Sequence, residues 1–549
     1  MIMGLCLVGM AQAPIYYDRP RASNKTIPVV SGRNGVVVSE SSVAPSLGLK
    51  VLMDGGNAID AAITTAAALT VADFTMCGIG GHGTMMMYWA ETGEVKCLDF
   101  GGYLPSKFSI DQYGTPPNPP PLRDPKSSIL PGTLAGWAEA LDKYGTISLA
   151  EALSPAIKLA EEGFALNPCE QERIDRIHDL TPLFPEGAKL WMPGGRVPKV
   201  GQTLKFTDLA NTYKLIAEEG PDVFYKGELG DKIVQYMNEN GSRFTKEDFA
   251  NYKPIWRDTL SNTYRDHYEV FVPKNQNFSP VILTMLNIWE NFNMRGMGVL
   301  SPETIHLIIE ANKVALADRT AYYGDPDFSE VPYEILTSKA YAKRIAEGIS
   351  MDKASPEKPG NIEGLEGSCT TNLAVVDKDH NVVCITQTIG SEFGSMHVVP
   401  GTGITLNNEG QFFDLEPING PNYPEAGKRV ENQMGAAIVL KDGKIWLGVG
   451  APGGTRIPPN IALLIRLMID HDFRIQEAIE VPRITYIGNG ITEIERGIPW
   501  EVQEELWKMG HYFQEPMYIC VLTGVVIDPE SGMLEGGGEP TGNATRVAY

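Results

Sequence analysis

The sequence lacks the positive charge with which proteins bind nucleic acids or anionic membranes. Its 549 residues include 46 Lys and Arg against 68 Asp and Glu, which gives a formal net charge of −22. Because both kinds of partner are recognised through basic patches, we expect neither nucleic acid nor a membrane surface as a partner. Beyond the N-terminal segment, the sequence also has no uninterrupted apolar run of about 18 residues, which a membrane-spanning helix would need.

Cysteine is the next scarce residue type. The seven cysteines are scattered along the chain, and no two of them form a C-x-x-C pair. This spacing does not predict a zinc or iron–sulfur site, and an odd number of cysteines does not predict a disulfide framework. We therefore expect no metal and no organic cofactor. Hydrophobic residues make up 43% of the chain, by contrast, which suffices for a sizeable core.

The first 13 residues form an apolar segment that ends in Ala-Gln-Ala. Such a segment resembles the hydrophobic region and cleavage site of a secretory signal, although no basic residues precede it. We expect a periplasmic or secreted protein, with residues 1–13 as the remnant of a signal peptide. A plain N-terminal tail on a cytoplasmic protein is the alternative.

A buried β-hairpin is predicted to begin at residue 370. Thr370 and Thr371 open an apolar run that ends at Asp377, and a second, β-branched run covers residues 381–388. The preceding residues 352–367 are rich in Pro, Gly and Glu, which is typical of a loop. The pattern therefore predicts two core strands, joined by a short turn and entered from a loop.

A threonine at this position suits one kind of chemistry. If the chain is cut before Thr370, the hydroxyl becomes a nucleophile and the freed α-amino group of the same residue becomes its base. An α-amino group titrates at about 7.7–8.0, so much of it is deprotonated near neutral pH. Paired threonines also begin many purely structural strands. The hairpin alone therefore leaves both interpretations open.

A G-x-G-G-x-G run at residues 78–83 invites comparison with dinucleotide-binding loops. Those loops follow a strand and open a helix. Here the predicted order is helix, glycines, strand, so nucleotide binding is not expected. His82 within the run is most simply a structural or exposed residue.

The order of the predicted elements indicates the fold class. Residues 40–345 are predicted to be mainly helical, with strands near residues 36, 85, 96 and 268. After residue 370 the predicted strands are 372–377, 381–388, 402–406, 436–440 and 445–449, and helices follow near 458–468, 475–480 and 500–509. Strands flanked by helices in both halves predict an α/β (α+β) fold, a four-layer αββα sandwich of two packed sheets covered by helices.

Several short segments, taken in their order and spacing, carry a resemblance to a known family. They are Asp54–Ala62, Pro131–Gly136, Leu141–Gly145, Gly220–Gly227, Ala317–Arg319, Thr370–Thr371, Leu406–Asn408, Gly427–Arg429 and Pro452–Gly454. From about residue 35 to its end, the sequence resembles the γ-glutamyltransferase family of N-terminal-nucleophile hydrolases. Each segment is short, but their combination is specific.

The resemblance implies a precursor that cuts itself between Cys369 and Thr370. The products would be a large chain, residues 14–369 if residues 1–13 are removed, and a small chain, residues 370–549, which together form one αββα unit. Thr370 would be the catalytic nucleophile. A cut one residue earlier would expose Cys369 instead, but the register with the downstream motifs favours threonine.

The resemblance also implies the residues that support the nucleophile. The Thr388 hydroxyl would hydrogen-bond Thr370, and the backbone N–H groups of Gly453 and Gly454 would form the oxyanion hole. Glycine at these two positions is also explained by a turn that requires positive φ, and the two explanations are compatible.

The sequence departs from the family where the family binds the glutamate end of its substrate. Those positions are occupied here by Gly101, Gly390, Glu409, Phe412, Asn432 and Gln433. The resemblance implies that the family has a carboxylate-binding arginine where this sequence has Gly101. Among these positions, only Glu409 keeps a residue type that can bind an amine. Losing an Arg–carboxylate pair removes a strong and geometrically specific contact. The family's Pro-Ser-Ser-Gly-Gly loop is replaced by residues 274–280.

We therefore predict a self-processing threonine amidohydrolase or acyltransferase that hydrolyses a small, carboxyl-bearing amide. One alternative is a true γ-glutamyltransferase or glutathione hydrolase in which Arg429 or Arg456 replaces the missing arginine. The other is an uncleaved relative that serves as a scaffold without enzymatic activity.

Overall fold

The computed structural model describes residues 28–114, 121–356, 369–516, 520–540 and 543–549. The predicted signal remnant, residues 1–13, lies outside these ranges, as does most of the loop predicted before Cys369. No helix within the described ranges is both long enough and apolar enough to cross a lipid bilayer.

The strands are named in chain order. They are β1 (Val30–Gly32), β2 (Gly35–Ser39), β3 (His82–Trp89), β4 (Glu94–Phe100), β5 (Phe164–Ala165), β6 (Thr203–Leu204), β7 (Ile255–Arg257), β8 (Thr259–Tyr264), β9 (Tyr268–Pro273), β10 (Cys369–Asp377), β11 (Val382–Gly390), β12 (Val398–Val399), β13 (Ile404–Thr405), β14 (Gly435–Lys441), β15 (Lys444–Ala451), β16 (Ile484–Gly488), β17 (Ile491–Ile494), β18 (Tyr512–Gln514), β19 (Thr523–Ile527), β20 (Leu534–Gly538) and β21 (Thr545–Ala548).

The helices are named in the same way. They are α1 (Ala44–Met53), α2 (Ala58–Ala72), α3 (Thr133–Tyr144), α4 (Leu149–Glu162), α5 (Pro168–Ile177), α6 (Pro185–Trp191), α7 (Thr207–Glu219), α8 (Asp222–Tyr225), α9 (Glu228–Glu239), α10 (Lys246–Ala250), α11 (Val281–Trp289), α12 (Met294–Met297), α13 (Pro302–Tyr322), α14 (Tyr333–Leu336), α15 (Lys339–Gly348), α16 (Ile457–Asp470), α17 (Ile475–Ile479) and α18 (Trp500–Met509).

Two seven-stranded antiparallel sheets form the centre of the molecule. The first sheet has the order β21-β2-β10-β11-β3-β4-β7, and the second has the order β1-β20-β19-β15-β14-β9-β8. The predicted hairpin is confirmed as β10 and β11, which pair from Leu373 opposite Ile385 to Val376 opposite Val382. Because β10 also pairs with β2, the strand that begins at Cys369 lies inside the first sheet and not at its edge.

Side-chain alternation along β10 explains the layers. Successive residues of a strand point to opposite faces of a sheet. Ala374 and Val376 accordingly join a cluster with Ile438 of the second sheet, which fills the space between the sheets. Leu373 and Val375 join a separate core on the other face, which is covered by α1, α2 and α4. A third core lies between the second sheet and the helices α11, α13 and α16.

Small residues bring the first helical layer close to its sheet. Helix α2 is buried along its whole length and is rich in alanine, and Asn57 caps its N-terminus with a capping box. Where α1 crosses α2, a Cβ on Gly48 would lie 2.1 Å from Thr65 Oγ1. Helices, sheet, sheet and helices follow one another in four layers, as the sequence predicted.

The predicted fold class is confirmed, but some strands were not predicted. Residues 259–264 form β8, which pairs with β9 at the edge of the second sheet. The sequence Thr-Leu-Ser-Asn-Thr-Tyr is polar and only partly buried, so it lacks the apolar alternation by which a strand is identified. The strand predicted at 402–406 is shorter, since only Ile404–Thr405 pairs, with β12. The sheet of β16, β17 and β18 was also not predicted.

Candidate active site

Thr370 lies at an irregularity near the start of β10. Cys369 pairs with Gly390 and Thr371 pairs with Gln387, so the register shifts between the two pairs as in a β-bulge. Bulges redirect side chains and are common beside active sites. Thr370 is only 1% exposed. The candidate nucleophile therefore stands at a buried strand end whose backbone departs from regular pairing.

Asn372, two residues further on, connects this strand to both sheets. Its Nδ2 donates to Ile385 O at 2.9 Å and to Thr386 Oγ1 at 2.8 Å on β11. Its Oδ1 accepts a hydrogen bond of 2.6 Å from Thr523 Oγ1 on β19 of the second sheet. All of these side chains are buried. The start of β10 is therefore held in place by a fully hydrogen-bonded amide.

Two close contacts show how β10 and β11 run against β15 of the second sheet. A Cβ on Gly450 would lie 2.3 Å from Asn372 Nδ2, and a Cβ on Gly448 would lie 3.0 Å from Cys384 Sγ. Cys384 is the partner of Ala374 in the hairpin. Moving two residues towards the start of β10 thus corresponds to moving two residues towards the end of β15.

The predicted oxyanion glycines follow β15, which ends at Ala451. Gly453 has φ of +140° and Gly454 has φ of +62°, conformations that disfavour a side chain. A Cβ on Gly453 would also lie 3.1 Å from atoms of Cys520. Both the positive φ and the neighbouring Cys520 therefore favour glycine at position 453, and the oxyanion function of the two N–H groups stays a prediction.

Thr388 lies on β11 opposite His82 of β3. Its Oγ1 accepts a hydrogen bond of 2.8 Å from the backbone N–H of Gly390. Gly390 has φ of +98°, and a Cβ there would lie 2.1 Å from Asn408 Oδ1. That oxygen accepts a hydrogen bond of 2.9 Å from Ser391 N. The place of a side chain at position 390 is thus taken by the amide of Asn408.

Gly101, the position predicted to have lost an arginine, shows the same replacement. A Cβ on Gly101 would lie 2.2 Å from Nε2 of Gln276. That nitrogen donates to Asp99 Oδ1 at 3.1 Å, and Gly101 N donates to the same oxygen at 2.8 Å. The loop of residues 274–280 therefore fills the space in which a side chain at position 101 would begin.

Glu409 and Phe412 have different surroundings. Glu409 Oε1 lies 3.1 Å from Nε2 of the buried His82, an ion-pair distance although the angle is not that of a hydrogen bond. Phe412 is 7% exposed and packs in an apolar cluster with Phe108 and Ile129. The Glu409 carboxylate thus lies against the His82 ring, and Phe412 is part of a local apolar core.

Four buried amide side chains, which we call the amide cluster, lie where β9 ends and β14 begins. They are Gln276, Asn277, Asn432 and Gln433. Strands β9 and β14 pair antiparallel, so the loop after β9 meets the segment before β14. Asn277 forms an isolated bridge with Asn432, and Asn432 N donates to Gln276 O at 3.3 Å.

The amide cluster has polar atoms without partners. Gln276 Oε1, Asn277 Nδ2, Asn432 Nδ2 and Gln433 Nε2 are buried and make no hydrogen bond to any residue that the structure describes. Such an atom costs about 1–3 kcal/mol, and most buried polar atoms in proteins are paired. The cluster is therefore unusual. The sequence indicated Asn432 and Gln433 as substrate-binding positions, and it indicated Gln276 and Asn277 only as part of a replaced loop.

The amide cluster is connected to the nucleophile strand by two hydrogen bonds. Thr386 Oγ1 donates to the carbonyl of Gly435, two residues after Gln433, at 3.2 Å. The same hydroxyl accepts the hydrogen bond from Asn372 Nδ2. The segment that carries Asn432 and Gln433 is thus linked through Gly435 and Thr386 to the strand that carries Thr370.

A second buried cluster, which we call the acid cluster, lies on the helical side of the hairpin. It comprises Glu40, Asp73, Glu170 and Arg173. Arg173 Nη1 lies 3.0 Å from Asp73 Oδ1 and 2.7 Å from Glu170 Oε1. Glu40 Oε1 accepts a hydrogen bond of 3.4 Å from the backbone N–H of Asn372. No motif in the sequence pointed to this cluster.

Burial dominates the titration of these carboxyls. It raises the pKa of Glu40 well above the usual range, and the negative charge of Asp73 raises it further. Burial also raises the pKa of Asp73 and, more strongly, of Glu170, while Arg173 opposes both shifts. The acid cluster therefore holds protons that isolated carboxyl groups would release.

Comparisons with known proteins extend over almost the whole chain. The family described as Gamma-glutamyltranspeptidase matches residues 44–549. The glutathione hydrolase proenzyme of Escherichia coli (strain K12) is 36% identical over 500 residues, 88% of this chain and 86% of its own length. The acylase ACY 1 proenzyme of Pseudomonas sp. (strain SE83) is 37% identical over 531 residues, 94% of each chain.

A solved structure agrees with the fold. The crystal structure of cephalosporin acylase from Bacillus halodurans superimposes with a TM-score of 0.89 at 31% sequence identity. The superposition covers 98% of this chain and 99% of that one. The similarity in structure therefore includes both sheets and both helical layers.

Proposed function

The chain belongs to the gamma-glutamyltranspeptidase family, a family of N-terminal-nucleophile amide hydrolases and acyltransferases, and from this premise we propose that Thr370 is its nucleophile. The relatives named glutathione hydrolase and those named acylase are both proenzymes. The position of Thr370 at a buried strand end, beside a shift in strand register, supports the proposal. The two chains produced by a cut before Thr370 would stay together, because β10 pairs with a strand on each side.

Self-cleavage would proceed through an ester. Thr370 Oγ attacks the carbonyl carbon of Cys369, the C–N bond breaks, and the acyl group moves to the oxygen while the nitrogen takes the proton. Water then hydrolyses the ester. This step leaves a carboxylate on Cys369 and frees both the hydroxyl and the α-amino group of Thr370.

Turnover would use the same atoms on a substrate amide. The α-amino group of Thr370 takes the hydroxyl proton as Oγ attacks the substrate carbonyl, and the departing amine receives that proton. The N–H groups of Gly453 and Gly454 stabilise the oxyanion, a contribution of about 2.7–4 kcal/mol for one such donor. Water, or an amine, releases the acyl group.

We propose that the acyl group carries a carboxylate or carbonyl at its far end and lacks an α-amino acid terminus. The observation that carries this proposal is the amide cluster. The NH₂ groups of Asn277, Asn432 and Gln433 have no acceptor among the residues that the structure describes, and they are donors for such oxygens. Gly101 has no side chain to act as a clamp, and Gln276 fills its space. Similarity to an acylase as well as to a glutathione hydrolase is compatible with this substrate class.

Glutathione hydrolysis is the second candidate, favoured by the 36% identity to the Escherichia coli enzyme. It would require a replacement for the missing arginine. Arg456 makes two hydrogen bonds of 2.6 Å to Glu493, and Arg429 Nη1 lies 3.4 Å from Asp327 Oδ2. Both arginines are thus engaged elsewhere, which favours the first candidate.

The cleavage is tested with wild-type protein and Thr370→Ala. Wild type should give two fragments on a denaturing gel, the smaller beginning Thr-Thr-Asn by N-terminal sequencing, and Thr370→Ala should stay one chain without activity. Thr371→Ser serves as the matched control and should still be cut. An uncut wild-type protein, or a fragment beginning at Cys369, would overturn the assignment.

The substrate class is tested with two chromogenic amides that differ only in the α-amino group. These are γ-glutamyl-p-nitroanilide and glutaryl-p-nitroanilide. We expect kcat/KM for the glutaryl compound to exceed that for the γ-glutamyl compound by about tenfold, the effect of one hydrogen-bonding contact. The reverse preference would establish the glutathione hydrolase alternative, and addition of glycylglycine would separate transfer from hydrolysis.

A further inference from the structure

Three residues outside the active site bring metal-binding atoms together. His306 and Glu310 lie one turn apart on α13 and so on the same face of the helix. His511 follows the end of α18. All three side chains are buried, and one nitrogen from each histidine and one oxygen of Glu310 lie within 4.8 Å of one another. The proposed reaction uses none of them.

The hydrogen bonds of His306 determine which of its nitrogens carries the lone pair that could bind a cation. Its Nε2 lies 2.7 Å from the carbonyl oxygen of Ser350, which can only accept, so this nitrogen carries the hydrogen. In the neutral ring, Nδ1 then has a lone pair, and it lies 2.8 Å from His511 Nε2. A metal-binding histidine commonly donates its other N–H to a backbone carbonyl in this way.

Glu310 is also held in position. One of its oxygens lies 2.9 Å from Lys313 Nζ, and the other accepts a hydrogen bond of 3.1 Å from Ser355 N. Each carboxylate oxygen keeps a further lone pair. Lys313 competes with an ion for this carboxylate, but its Nζ also contacts the carbonyl of Ser355 at 3.2 Å and so retains a partner.

We propose that His306, Glu310 and His511 bind a divalent transition-metal ion, for which zinc is the best fit. Two imidazole nitrogens and one carboxylate oxygen are a known zinc ligand set, with water as the fourth ligand. Tetrahedral zinc, with Zn–N distances of about 2.0–2.1 Å, requires the two nitrogens to lie about 3.3 Å apart. The ring of His511 therefore needs to move about half an ångström away from His306 and to carry its hydrogen on Nδ1 instead of Nε2. The Glu310 oxygen, which lies within 4.8 Å of both nitrogens, needs to come to a similar separation.

The site joins segments that the proposed cleavage separates. His306 and Glu310 would belong to the large chain and His511 to the small chain, a consequence that rests on the proposed function. The segment before the cleavage site is held by the same region, since Ala354 N donates to Met509 O at 2.8 Å. An ion here would fasten the large chain to the small chain.

Zinc binding is tested on chelator-treated, desalted protein by calorimetric titration with ZnCl₂ and by thermal unfolding. We expect one Zn²⁺ for each large-and-small-chain pair, with an increase in Tm of several degrees. His511→Gln should weaken binding by about tenfold or more. The matched control is His178→Gln, because the exposed His178 contacts Asp179 at the surface and lies outside the site. This control should bind zinc like wild type.

Cobalt substitution provides a reading that does not depend on stability. Four-coordinate Co²⁺ should give intense visible absorption bands in wild type, and Glu310→Gln and His511→Gln should lose them. Equal zinc binding by His511→Gln, or less than one ion bound at saturation, would overturn the proposal. Thr370→Ala should bind zinc normally as a single chain, so failure of the proposed cleavage would not be mistaken for failure of the metal site.

Discussion

Two buried polar clusters lie on opposite sides of the hairpin that carries Thr370. They differ in how completely their polar atoms are paired within the protein. In the acid cluster, Arg173 contacts Asp73 and Glu170, and Glu40 accepts a hydrogen bond from the nucleophile strand. In the amide cluster, four polar atoms make no hydrogen bond within the part of the chain that the structure describes. The first cluster is charged and internally compensated, whereas the second is neutral and incomplete.

The difference indicates that the acid cluster supports the fold, whereas the amide cluster binds a ligand. Asp73 Oδ2 and Glu170 Oε2 also lack a donor among the described residues, but the two carboxyls interact and their pKa values are raised, so a proton on one can bind the other. The amide cluster has no proton to share in this way. Its unpaired atoms are best explained by a ligand, because stability is commonly lower where a protein keeps groups for function.

The largest effect is expected from removing the cation of the acid cluster. Arg173→Met should lower the free energy of unfolding by about 3–5 kcal/mol, since it leaves buried carboxylates uncompensated. The measurement is urea unfolding in the uncut Thr370→Ala background. Arg176→Met is the control, because Arg176 is half-exposed and pairs at the surface, which predicts a change of about 1 kcal/mol or less. Equal effects would show that the acid cluster is not a charge-compensated unit.

The next effect has opposite signs for binding and stability. Gln433→Met removes a side-chain nitrogen that has no partner among the described residues and keeps the side-chain volume, so KM for the glutaryl substrate should increase about tenfold while stability is unchanged or slightly greater. The matched control is Gln387→Met. The buried amide of Gln387 contacts Ala66 O at 3.0 Å and Trp137 Nε1 at 3.3 Å, so this variant should lose about 1–3 kcal/mol. A destabilised Gln433→Met would mean that the protein already satisfies this amide.

A third variant pair examines why the pocket has no arginine. Gly101→Arg alone should destabilise the protein, because its Cβ would overlap the Gln276 amide. The double variant Gly101→Arg/Gln276→Gly removes this overlap. It should shift the ratio of γ-glutamyl to glutaryl hydrolysis towards γ-glutamyl by about tenfold, as one charge-assisted contact allows. The single variant Gln276→Gly is the control, and an equal shift there would show that cavity size and not the arginine decides the preference.

The sequence could predict what is local and could not predict what the fold assembles. The hairpin is readable because apolar and β-branched residues follow one another without interruption, but its start left the role of Thr370 open. The family resemblance, and no local pattern, implied that Thr370 is the nucleophile and that Gly101 and Gly390 stand where the family has side chains. Gln276 reaches the space at Gly101 through a contact with Asp99, 177 residues away in the sequence. Asn408 reaches Gly390 across a 17-residue excursion of the chain from Ser391. No local pattern reveals either contact.

The two clusters illustrate the same limit. Gln276 and Asn277 meet Asn432 only because β9 and β14 are neighbours, and β8, the strand beyond β9, was not predicted at all. Buried acids carry no sequence signature either, since Glu40 and Glu170 resemble surface residues of a loop and a helix. The periodicity of apolar residues predicts which faces of helices and strands are buried. It does not predict which polar groups the fold buries together.

The smallest expected effect concerns pH and again distinguishes the clusters. The pKa of Glu40 is raised by burial, so the folded state keeps a proton that the unfolded state releases above about pH 4.5. The free energy of unfolding should therefore decrease as the pH increases from this value through the raised folded pKa. Glu40→Gln keeps an oxygen acceptor for Asn372 N and cannot ionise, so its stability should depend less on pH.

Gln433→Met should keep the wild-type slope in urea unfolding between pH 5 and 9, because the amide cluster does not titrate. If Glu40→Gln also kept that slope, Glu40 would be ionised in the folded protein and the acid cluster would carry more charge than its single arginine can compensate.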